Sequence, residues 1–531
     1  MGLSIYILMT GHLHEDAYIL YIFSESLANG NGISYFQGGD PAEGATDFLW
    51  MVILGVGNFL GSDVAVFAAI LNGFGLSIIA FISMLLASKN IRGLGLLLFG
   101  GSVSLIVFFS QIAQSSLAGF SAGFYCSFVA LVFYLLYQRK ESTIHFVPVV
   151  GIILGLLRPD GVIIGAVASL VGLYFAYSKG ILKRYLIFSL ICFTIGMVYF
   201  VWRYSYFGQL LPLPLYVKST SPGSLPGLFP HVGWAMSNDF LGLFAIATLI
   251  FCKDRWRIFI CSLPVAALFI ALVFATQSQN VSYRFQAPGT TLLIMWSSLF
   301  MSELAGNLKT FGKSRILVLG LVGVITFSAT ASYARGSFKV VEYLKGEEYI
   351  NYFPYHISKI IGKEVTIALT EAGRFAYWVK GKKYDLVGLN TPEIAVKKSS
   401  PAYIAGLNPD IIFMHVAGTA DYSQFCDSNY CELSPSEVLD GVVADADWKV
   451  VENGVVRAPL TIYEYFKNNI NEYKVFSVIY GGSYSHLYFV KKDGKVDINE
   501  FKKSLDLSFS DEGVVSYWEM KKEMGFSSIF D

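Results

Sequence analysis

Two adjacent carboxylates, Glu15 and Asp16, directly follow the first apolar stretch of the chain. They open an acidic segment, residues 14–47, which contains six Asp or Glu residues and no Lys or Arg. Adjacent carboxylates repel each other, and partial burial raises the pKa of such a group. A carboxylate of this kind suits a general base that removes a proton from a hydroxyl near neutral pH. We expect Glu25 and Asp40, by contrast, to lie on a solvated acidic face.

Three cations are predicted to lie on the same side of a membrane as this acidic segment. Arg158 begins an Arg-Pro-Asp-Gly sequence, Lys218 ends a long loop, and Arg284 precedes an apolar run. A carboxylate base beside a basic pocket suits a reaction in which a lipid phosphate is the leaving group. Arg203, near the end of its apolar run, is a further candidate. For each cation the alternative is a snorkelling anchor at the membrane interface.

The composition indicates that a membrane positions these groups. Of the 531 residues, 54% are hydrophobic and 15% are charged, and the mean hydropathy is +0.53. Ordinary globular domains carry about 25% charged residues, so a soluble enzyme is nearly excluded. Residues 1–339 hold 31 charged side chains and residues 340–531 hold 47. This increase in the density of charged residues predicts a transmembrane catalytic domain over 1–338 and a soluble domain over 339–531.

The apolar runs predict an α-helical polytopic membrane protein. A hydrocarbon core needs about 20 apolar residues as helix. The candidates are 63–87, 93–110, 118–137, 160–177, 183–204, 236–252, 256–276, 286–303 and 315–333. Two shorter runs, 1–12 and 144–157, complete an eleven-span topology. The first run is too short to span, so we expect that the native start lies upstream or that this helix is a stub.

The distribution of Lys and Arg sets the orientation of this topology. Loops on one side hold 13 Lys or Arg residues, and loops on the other side hold three. The richer side is predicted to be cytoplasmic. The soluble domain then lies outside, which in a bacterium means the periplasmic face of the inner membrane.

The soluble part has the pattern of an α/β domain. Strand-like runs alternate with helical stretches; they are 365–369, 384–389, 410–414, 475–480 and 487–490. Gly373, Gly388 and Asn390 are candidate turn residues, with a sugar-acceptor role as the alternative. Cys426 and Cys431 are a candidate local disulfide in an extracytoplasmic domain, with free thiols as the alternative.

A series of ordered motifs accompanies the candidate site residues. They are paired acids and an aromatic residue in 15–19, an Asn/Gly-rich turn in 27–32, Glu-Gly-x-Thr-x-x-Leu-Trp in 43–50, Arg-Pro-Asp-Gly in 158–161, Tyr-Phe-Gly-x-x-Leu-Pro in 206–212 and a soluble-domain stretch in 371–394. The series resembles the GT-C superfamily of polyprenyl-phosphate-dependent glycosyltransferases. Within it, the sequence is similar to the branch containing the mycobacterial terminal arabinofuranosyltransferase and bacterial pilin arabinosyltransferases.

The resemblance implies a GT-C membrane core, with outer helices near 16–29 and 45–60, followed by the soluble domain. It implies transfer of a sugar, such as arabinofuranose, from a polyprenyl monophosphate to a hydroxyl of a glycan, lipid or pilin-like protein. Nucleic acid is not an expected partner. Because fixed cations can neutralise a monophosphate, we expect no obligatory catalytic metal and no cofactor.

Roles follow for the residues singled out above. Asp16 is the predicted base, with Glu15 supporting or sharing that role. The predicted donor-phosphate ligands are Arg158, Lys218, Arg284 and Arg203. The predicted sugar- or acceptor-binding residues are Glu43, Trp50, Asp160, Tyr206 and Tyr216.

Two other classes of function remain open. One is a transporter or flippase of lipid-linked sugars, and the other is an oligosaccharide polymerase or ligase that uses diphosphate carriers. Transporters tend to show internal repeats and ionisable groups near the bilayer midplane. The sequence shows no such repeat, and its charges lie at the outer ends of the apolar runs, which favours a transferase.

The orientation is directly testable. We expect a reporter enzyme that is active only outside the cytoplasm to be active when fused at Asp531, because the inner loops hold most of the cations. The measurement is reporter activity in intact cells. Activity of a cytoplasm-only reporter at the same position would contradict the topology and the placement of Asp16.

Overall fold

The computed structural model describes residues 2–217, 225–277, 279–307, 315–346, 348–416, 418–444, 446–479 and 485–524. The chain is mostly helical, with one six-stranded sheet near its C-terminal end. Lys218 lies outside the described residues, and its phosphate-binding role stays a prediction.

Helices occupy all nine predicted membrane runs. The helices of the first 344 residues are α1 (Gly2–Thr10), α2 (Glu15–Ala28), α3 (Phe48–Phe59), α4 (Val64–Ala87), α5 (Leu94–Phe109), α6 (Gln111–Leu117), α7 (Ala122–Gln138), α8 (Val147–Leu157), α9 (Gly161–Ser178), α10 (Leu182–Phe207), α11 (Leu213–Val217), α12 (Leu228–Ser237), α13 (Asp239–Phe251), α14 (Arg255–Val273), α15 (Ala287–Asn307) and α16 (Arg315–Leu344). Helices α2 and α3 coincide with the helices predicted near 16–29 and 45–60, and their location on the outer side of the membrane stays a prediction. The predicted domain boundary at 338 falls inside α16 rather than in a linker.

Fewer helices qualify as complete membrane spans than the sequence suggested. Among the described residues, α4, α9, α10 and α14 are long and apolar enough to cross a membrane. The pairs α5–α6 and α12–α13 also qualify, but they bend by 48° and 88°, which gives up to six spans. Helices α3, α7 and α8 are apolar but short. The eleven-span topology therefore stays a prediction.

The C-terminal part combines helices with a mixed sheet. Its helices are α17 (Tyr349–Ser358), α18 (Arg374–Trp378), α19 (Pro392–Lys397), α20 (Pro401–Leu407), α21 (Pro435–Asp440), α22 (Gly454–Asn469), α23 (Ile498–Ser508) and α24 (Tyr517–Glu523). Its strands are β1 (Thr366–Leu369), β2 (Lys382–Asp385), β3 (Ile411–His415), β4 (Tyr430–Leu433), β5 (Tyr473–Ile479) and β6 (Ser485–Lys491). The predicted α/β character is confirmed.

The sheet order is β2-β1-β3-β6-β5-β4, with β1 parallel to β2 and β3 and the other neighbours antiparallel. The short edge strand β4 was not predicted. It contains Cys431, which forms a disulfide with Cys426 as expected. Gly388 has a φ of +97° and the Asn390 side chain donates to Asp385, so both are the turn residues that the sequence predicted.

The predicted soluble domain packs against the predicted membrane domain through buried and partly buried charges. Lys521 of α24 donates to Glu25 of α2 at 2.7 Å and lies 3.4 Å from Asp63, at the start of α4. Tyr517 donates to the same Asp63 carboxylate at 3.0 Å. The prediction that Glu25 lies on a solvated face was therefore wrong, because that carboxylate is neutralised across the domain contact. Asp40 is exposed, as predicted.

Removal of Lys521 should loosen this contact. We expect Lys521→Ala to destabilise the chain by about 3–5 kcal/mol, because the change leaves the buried Asp63 carboxylate and the partly buried Glu25 carboxylate without their cation. Thermal unfolding of the detergent-solubilised full chain measures the effect. The control is Lys503→Ala, which removes one partner of an exposed pair with Glu500 and should leave the melting temperature unchanged. Equal effects of the two variants would contradict the docking role.

Candidate functional site

Four predicted site residues, Asp16, Arg158, Asp160 and Arg284, meet one further charge, Asp47, near the ends of several helices. We call Asp16, Asp47, Arg158, Asp160 and Arg284 the charge cluster. Asp16 Oδ2 lies 3.1 Å from Arg284 Nη2. Arg158 binds Asp160 through Nε at 3.0 Å and Nη2 at 2.9 Å. Arg158 Nη1 also approaches the backbone oxygen of Arg284 at 3.5 Å, which joins the two ion pairs.

The Arg-Pro-Asp-Gly motif forms the Arg158–Asp160 pair by its backbone geometry. A residue before proline is excluded from the helical region, and Arg158 is extended, with φ −152° and ψ 142°, where α8 ends. Asp160 then stands at the N-cap of α9. The turn therefore holds both side chains on the same side, where the guanidinium binds the carboxylate in a bidentate manner.

Arg284 lies on a constrained loop before α15. Ser282 and Tyr283, the two residues before it, have φ values of +49° and +55°. This left-handed conformation is costly for residues other than glycine and occurs mostly at functional sites. Neither position was recognised from the sequence, because a left-handed Ser-Tyr pair has no compositional signature.

A network of amide side chains holds this loop. Asn280 donates to Gln277 at 3.0 Å and to Gln286 at 2.9 Å, and Gln286 donates to Gln277 at 2.6 Å. Asn280 also accepts from the Phe285 amide at 3.2 Å. These amides are concentrated within 277–286, next to apolar runs, which is the sequence signal that was missed. The network fixes the backbone from which Arg284 reaches Asp16.

The guanidinium of Arg284 has unused donor capacity. Its Nε is buried and has no hydrogen-bond partner in the described part of the chain. Its charge lies 4.1 Å from the ring centre of Phe120 and 5.0 Å from that of Phe285. A buried guanidinium with an unsatisfied donor is unfavourable unless a ligand completes it, so this side chain is suited to binding an anion.

Asp47 is a site residue that sequence reasoning did not select. It stands at the N-cap of α3 but does not cap the helix. Its Oδ2 instead accepts a hydrogen bond from Ser121 at 2.9 Å. Burial raises the pKa of this carboxyl, while the positive charges of Arg158 and Arg284 oppose the rise. Its position inside the Glu-Gly-x-Thr-Asp-Phe-Leu-Trp motif was the available signal.

The neighbouring carboxylates Glu15 and Asp16 point in different directions. Glu15 accepts hydrogen bonds from the backbone amides of Gly373 at 2.7 Å and Arg374 at 2.9 Å. These amides begin α18, where a helix favours negative charge. Burial, with a contribution from the charge of Glu371, raises the pKa of Glu15. In the described part of the chain, Glu15 therefore links the start of α2 to the start of α18.

His14 supports the start of α2. Its Nδ1 accepts a hydrogen bond from the Asp16 amide at 3.2 Å and so caps the helix. Burial lowers the pKa of this imidazole to about 4, so the ring is neutral at physiological pH. A neutral ring is the form that can accept this bond, and it fixes the backbone of Asp16.

Arg203 and Glu43, predicted to bind phosphate and sugar, bind each other. Arg203 Nε donates to Glu43 Oε1 at 2.7 Å, and a second nitrogen contacts Oε2. The remaining nitrogen donates to the carbonyl oxygens of Leu210 at 2.9 Å and Gln209 at 3.3 Å. Both side chains are buried. These contacts anchor the outer loops, and the ligand-binding roles stay predictions.

The three aromatic candidates occupy different environments. Trp50 is only 1% exposed and packs against Phe124, with ring centres 5.5 Å apart. Its predicted stacking on a sugar does not fit this position, because it lies on the buried face of α3. Tyr206 accepts from the Ile33 amide at 3.1 Å and Tyr216 from the Leu211 amide at 3.3 Å. Both are partly exposed, so their stacking roles stay predictions.

Comparison with known proteins gives matches to a domain family and to two solved structures. A family described as "Domain of unknown function (DUF8728)" matches residues 347–476. None of the curated proteins matches the chain. The structure is similar to ArnT from Cupriavidus metallidurans bound to undecaprenyl phosphate, at TM-score 0.48 and 12% identity over 78% of this chain and 91% of that chain.

A second structural match is the oligosaccharyltransferase of Archaeoglobus fulgidus in its apo form. Its TM-score is 0.48, at 11% identity over 91% of this chain and 85% of that chain. The resemblance to GT-C enzymes, and within them to arabinofuranosyltransferases, stays a prediction.

The different surroundings of the two acids predict different responses to mutation. Glu15→Ala should destabilise the chain by about 2–6 kcal/mol, because two buried amides lose their acceptor at roughly 1–3 kcal/mol each. Asp16→Asn retains an oxygen that can accept from Arg284 and should leave stability nearly unchanged. Thermal unfolding of the full chain in detergent measures both. A larger loss in Asp16→Asn than in Glu15→Ala would show that the assigned roles are reversed.

Proposed function

We propose that this protein is a membrane glycosyltransferase that moves a sugar from a polyprenyl monophosphate to an acceptor hydroxyl outside the cytoplasm. The observation that carries the proposal is the contact between Asp16 and Arg284, in which the arginine still has an unpartnered buried donor. This pair provides a proton acceptor and an anion-binding group side by side. The resemblance of the surrounding motifs to GT-C enzymes supports the same reaction.

The donor phosphate binds at Arg284. Its unused Nε can form a charge-assisted hydrogen bond to a phosphate oxygen, while Nη2 retains Asp16. Arg158 is already engaged by Asp160 through two nitrogens, so it contributes its charge and the position of the Arg284 backbone. Lys218 is a second direct phosphate ligand in this proposal. Breaking the sugar–phosphate bond leaves charge on the phosphate, which these cations stabilise.

Asp16 is the general base. The acceptor oxygen forms the new glycosidic bond, its proton passes to the Asp16 carboxylate, and the polyprenyl phosphate departs with the electrons of the broken bond. A phosphate that binds Arg284 offsets part of the positive charge facing Asp16. Glu15 keeps the base in place rather than sharing its role.

The charge cluster is net negative before the donor arrives, since it contains three carboxylates and two guanidiniums. A phosphate would therefore be repelled unless its immediate neighbours were cations. In this proposal Arg284 and Lys218 are those neighbours, whereas Asp160 pairs with Arg158 and Asp47 interacts electrostatically with both arginines. The carboxylates fix the arginines in position, which limits the reorganisation that donor binding requires.

Asp16→Asn tests the base. The variant keeps the side-chain shape but cannot accept a proton, so turnover should fall by about 10²–10⁴ while donor binding persists. The measurements are transfer from a radiolabelled polyprenyl-phosphate sugar to an acceptor glycan and equilibrium binding of that donor. The control is Asp40→Asn, an exposed acid of the same segment, which should transfer at the normal rate. Normal turnover in Asp16→Asn would remove Asp16 from the chemistry.

Arg284→Ala tests the phosphate site. Loss of a charge-assisted contact worth about 1.5–3 kcal/mol should weaken donor binding by roughly 10- to 150-fold. The matched control is Arg139→Ala, since Arg139 also lies over an aromatic ring, Phe175, at 5.2 Å, but on the predicted cytoplasmic side. Unchanged donor affinity in Arg284→Ala would identify this arginine as an anchor for Asp16 alone.

The same assay separates the proposal from the transporter alternative. A transporter moves the lipid-linked sugar across the bilayer without forming a glycosidic bond. Transfer by the purified protein in detergent, where no two compartments exist, would exclude transport as the sole activity. Movement of the donor across reconstituted vesicles without any transfer would instead overturn the glycosyltransferase proposal.

A further inference from the structure

Outside the charge cluster, the soluble domain brings two histidines and a glutamate together. Glu371 lies two residues beyond the end of β1, His415 is the last residue of β3, and His486 is the second residue of β6. These three strands are neighbours in the order β1-β3-β6. His415 and His486 stand opposite each other in the antiparallel register, so the fold itself places their imidazoles side by side.

The spacing of the three side chains suits a metal ion. Their nitrogen and oxygen ligand atoms all lie within 4.8 Å of one another. His486 Nε2 is 3.6 Å from Glu371 Oε2. Two ligands bound to one tetrahedral zinc ion are roughly 3.4 Å apart, because each bond is about 2.0–2.2 Å long. One pair therefore already has this spacing, and the others need side-chain movements of roughly 1 Å.

The surroundings orient the ligands. The Tyr349 hydroxyl contacts His486 Nδ1 and lies 3.1 Å from the Tyr488 hydroxyl. This contact directs the other ring nitrogen, Nε2, toward Glu371. An imidazole held through its second nitrogen is the usual arrangement of metal-binding histidines. On β3, the His415 amide donates to Thr370 at 2.8 Å, which fixes the end of that strand beside Glu371.

We infer that Glu371, His415 and His486 bind one divalent transition-metal ion of the zinc class, with solvent in the remaining position. Two imidazoles and one carboxylate favour such an ion over Mg²⁺ or Ca²⁺, which prefer oxygen ligands. His486 is 2% exposed and Glu371 is 26% exposed, so the site is partly shielded but reachable. This ion is separate from the proposed transfer reaction, which has its own charge cluster.

The bound ion would stiffen the connection to the base. From Glu371 the chain reaches Gly373 and Arg374 within three residues, and the amides of those two residues hold Glu15. Glu15 is followed directly by Asp16. The metal therefore fixes the segment of the soluble domain that docks the start of α2. This consequence rests on the proposed function, whereas metal binding itself does not.

Cobalt binding tests the site without any transferase assay. The full chain in detergent is stripped with EDTA and titrated with Co²⁺ alone, and visible absorption reports coordination. We expect one Co²⁺ per chain, displaced by Zn²⁺ and not by Mg²⁺. His415→Gln and His486→Gln should lower Co²⁺ affinity by about 100-fold or more, since changes outside the first ligand sphere already cost 10–100-fold.

Two further variants keep the test decisive. Glu393→Gln removes an exposed carboxylate that pairs with Lys397 in the same domain and should bind Co²⁺ normally. Tyr349→Phe keeps all three ligands and should weaken binding by about 10–100-fold, so it reports on the site even where a histidine variant fails to fold. No saturable binding by the unmodified chain, equal affinity in all variants, or equal competition by Mg²⁺ would overturn the assignment.

Discussion

The arrangement of the candidate site depends on the different directions in which the neighbouring Glu15 and Asp16 side chains point. Successive residues of an α-helix point about 100° apart, so Glu15 and Asp16 at the start of α2 face different partners. Glu15 meets the first amides of α18, and Asp16 meets Arg284. The same helical turn thus joins the soluble domain to the membrane domain and presents the proposed base. A displacement of the soluble domain would move Asp16 relative to the arginine.

Close backbone approach explains why this joint contains glycine. A Cβ atom at Gly373 would collide with the backbone oxygen of Glu15, and one at Gly44 would collide with the side chain of Asn390. Gly373 has an ordinary negative φ of −98°, so steric contact rather than turn geometry requires the glycine. The motifs around residues 15 and 371, and those around residues 44 and 390, therefore contact each other in pairs. Motifs that are distant in sequence form one interface.

The sequence predicted well what depends on local patterns. Apolar runs predicted the helices, alternation predicted five of the six strands, and Cys426 and Cys431 were recognised as a pair. Strand β4 was missed because it is a sheet-edge strand in which only Leu433 is fully buried, so its sequence contains no apolar run. An edge strand needs little apolar patterning, so its composition resembles that of a loop.

Pairings between side chains that are distant in the sequence were harder to predict. Arg203 and Glu43 were both selected, yet as ligands for substrate rather than as partners, because no local pattern links residues 160 positions apart. Trp50 was placed on an outer loop, whereas the helical phase of α3 buries it with Met51 and Leu54. Asp47 was part of a recognised motif, but only the fold shows that it faces Ser121 and the arginines.

Arg284 needs more interactions than Asp16 to hold it in position, because it lies on the irregular loop before α15. Asp16 is fixed by a regular helix start and the His14 cap, which cost little conformational energy. Arg284 must project from an irregular loop with three left-handed residues, Gln279, Ser282 and Tyr283, a conformation that persists only where neighbouring interactions over-determine it. The network of Gln277, Asn280 and Gln286 provides those interactions. A rigid cation beside a helix-fixed carboxylate keeps the two groups at contact distance before the donor binds, which is the preorganisation that a charge-separating transfer requires.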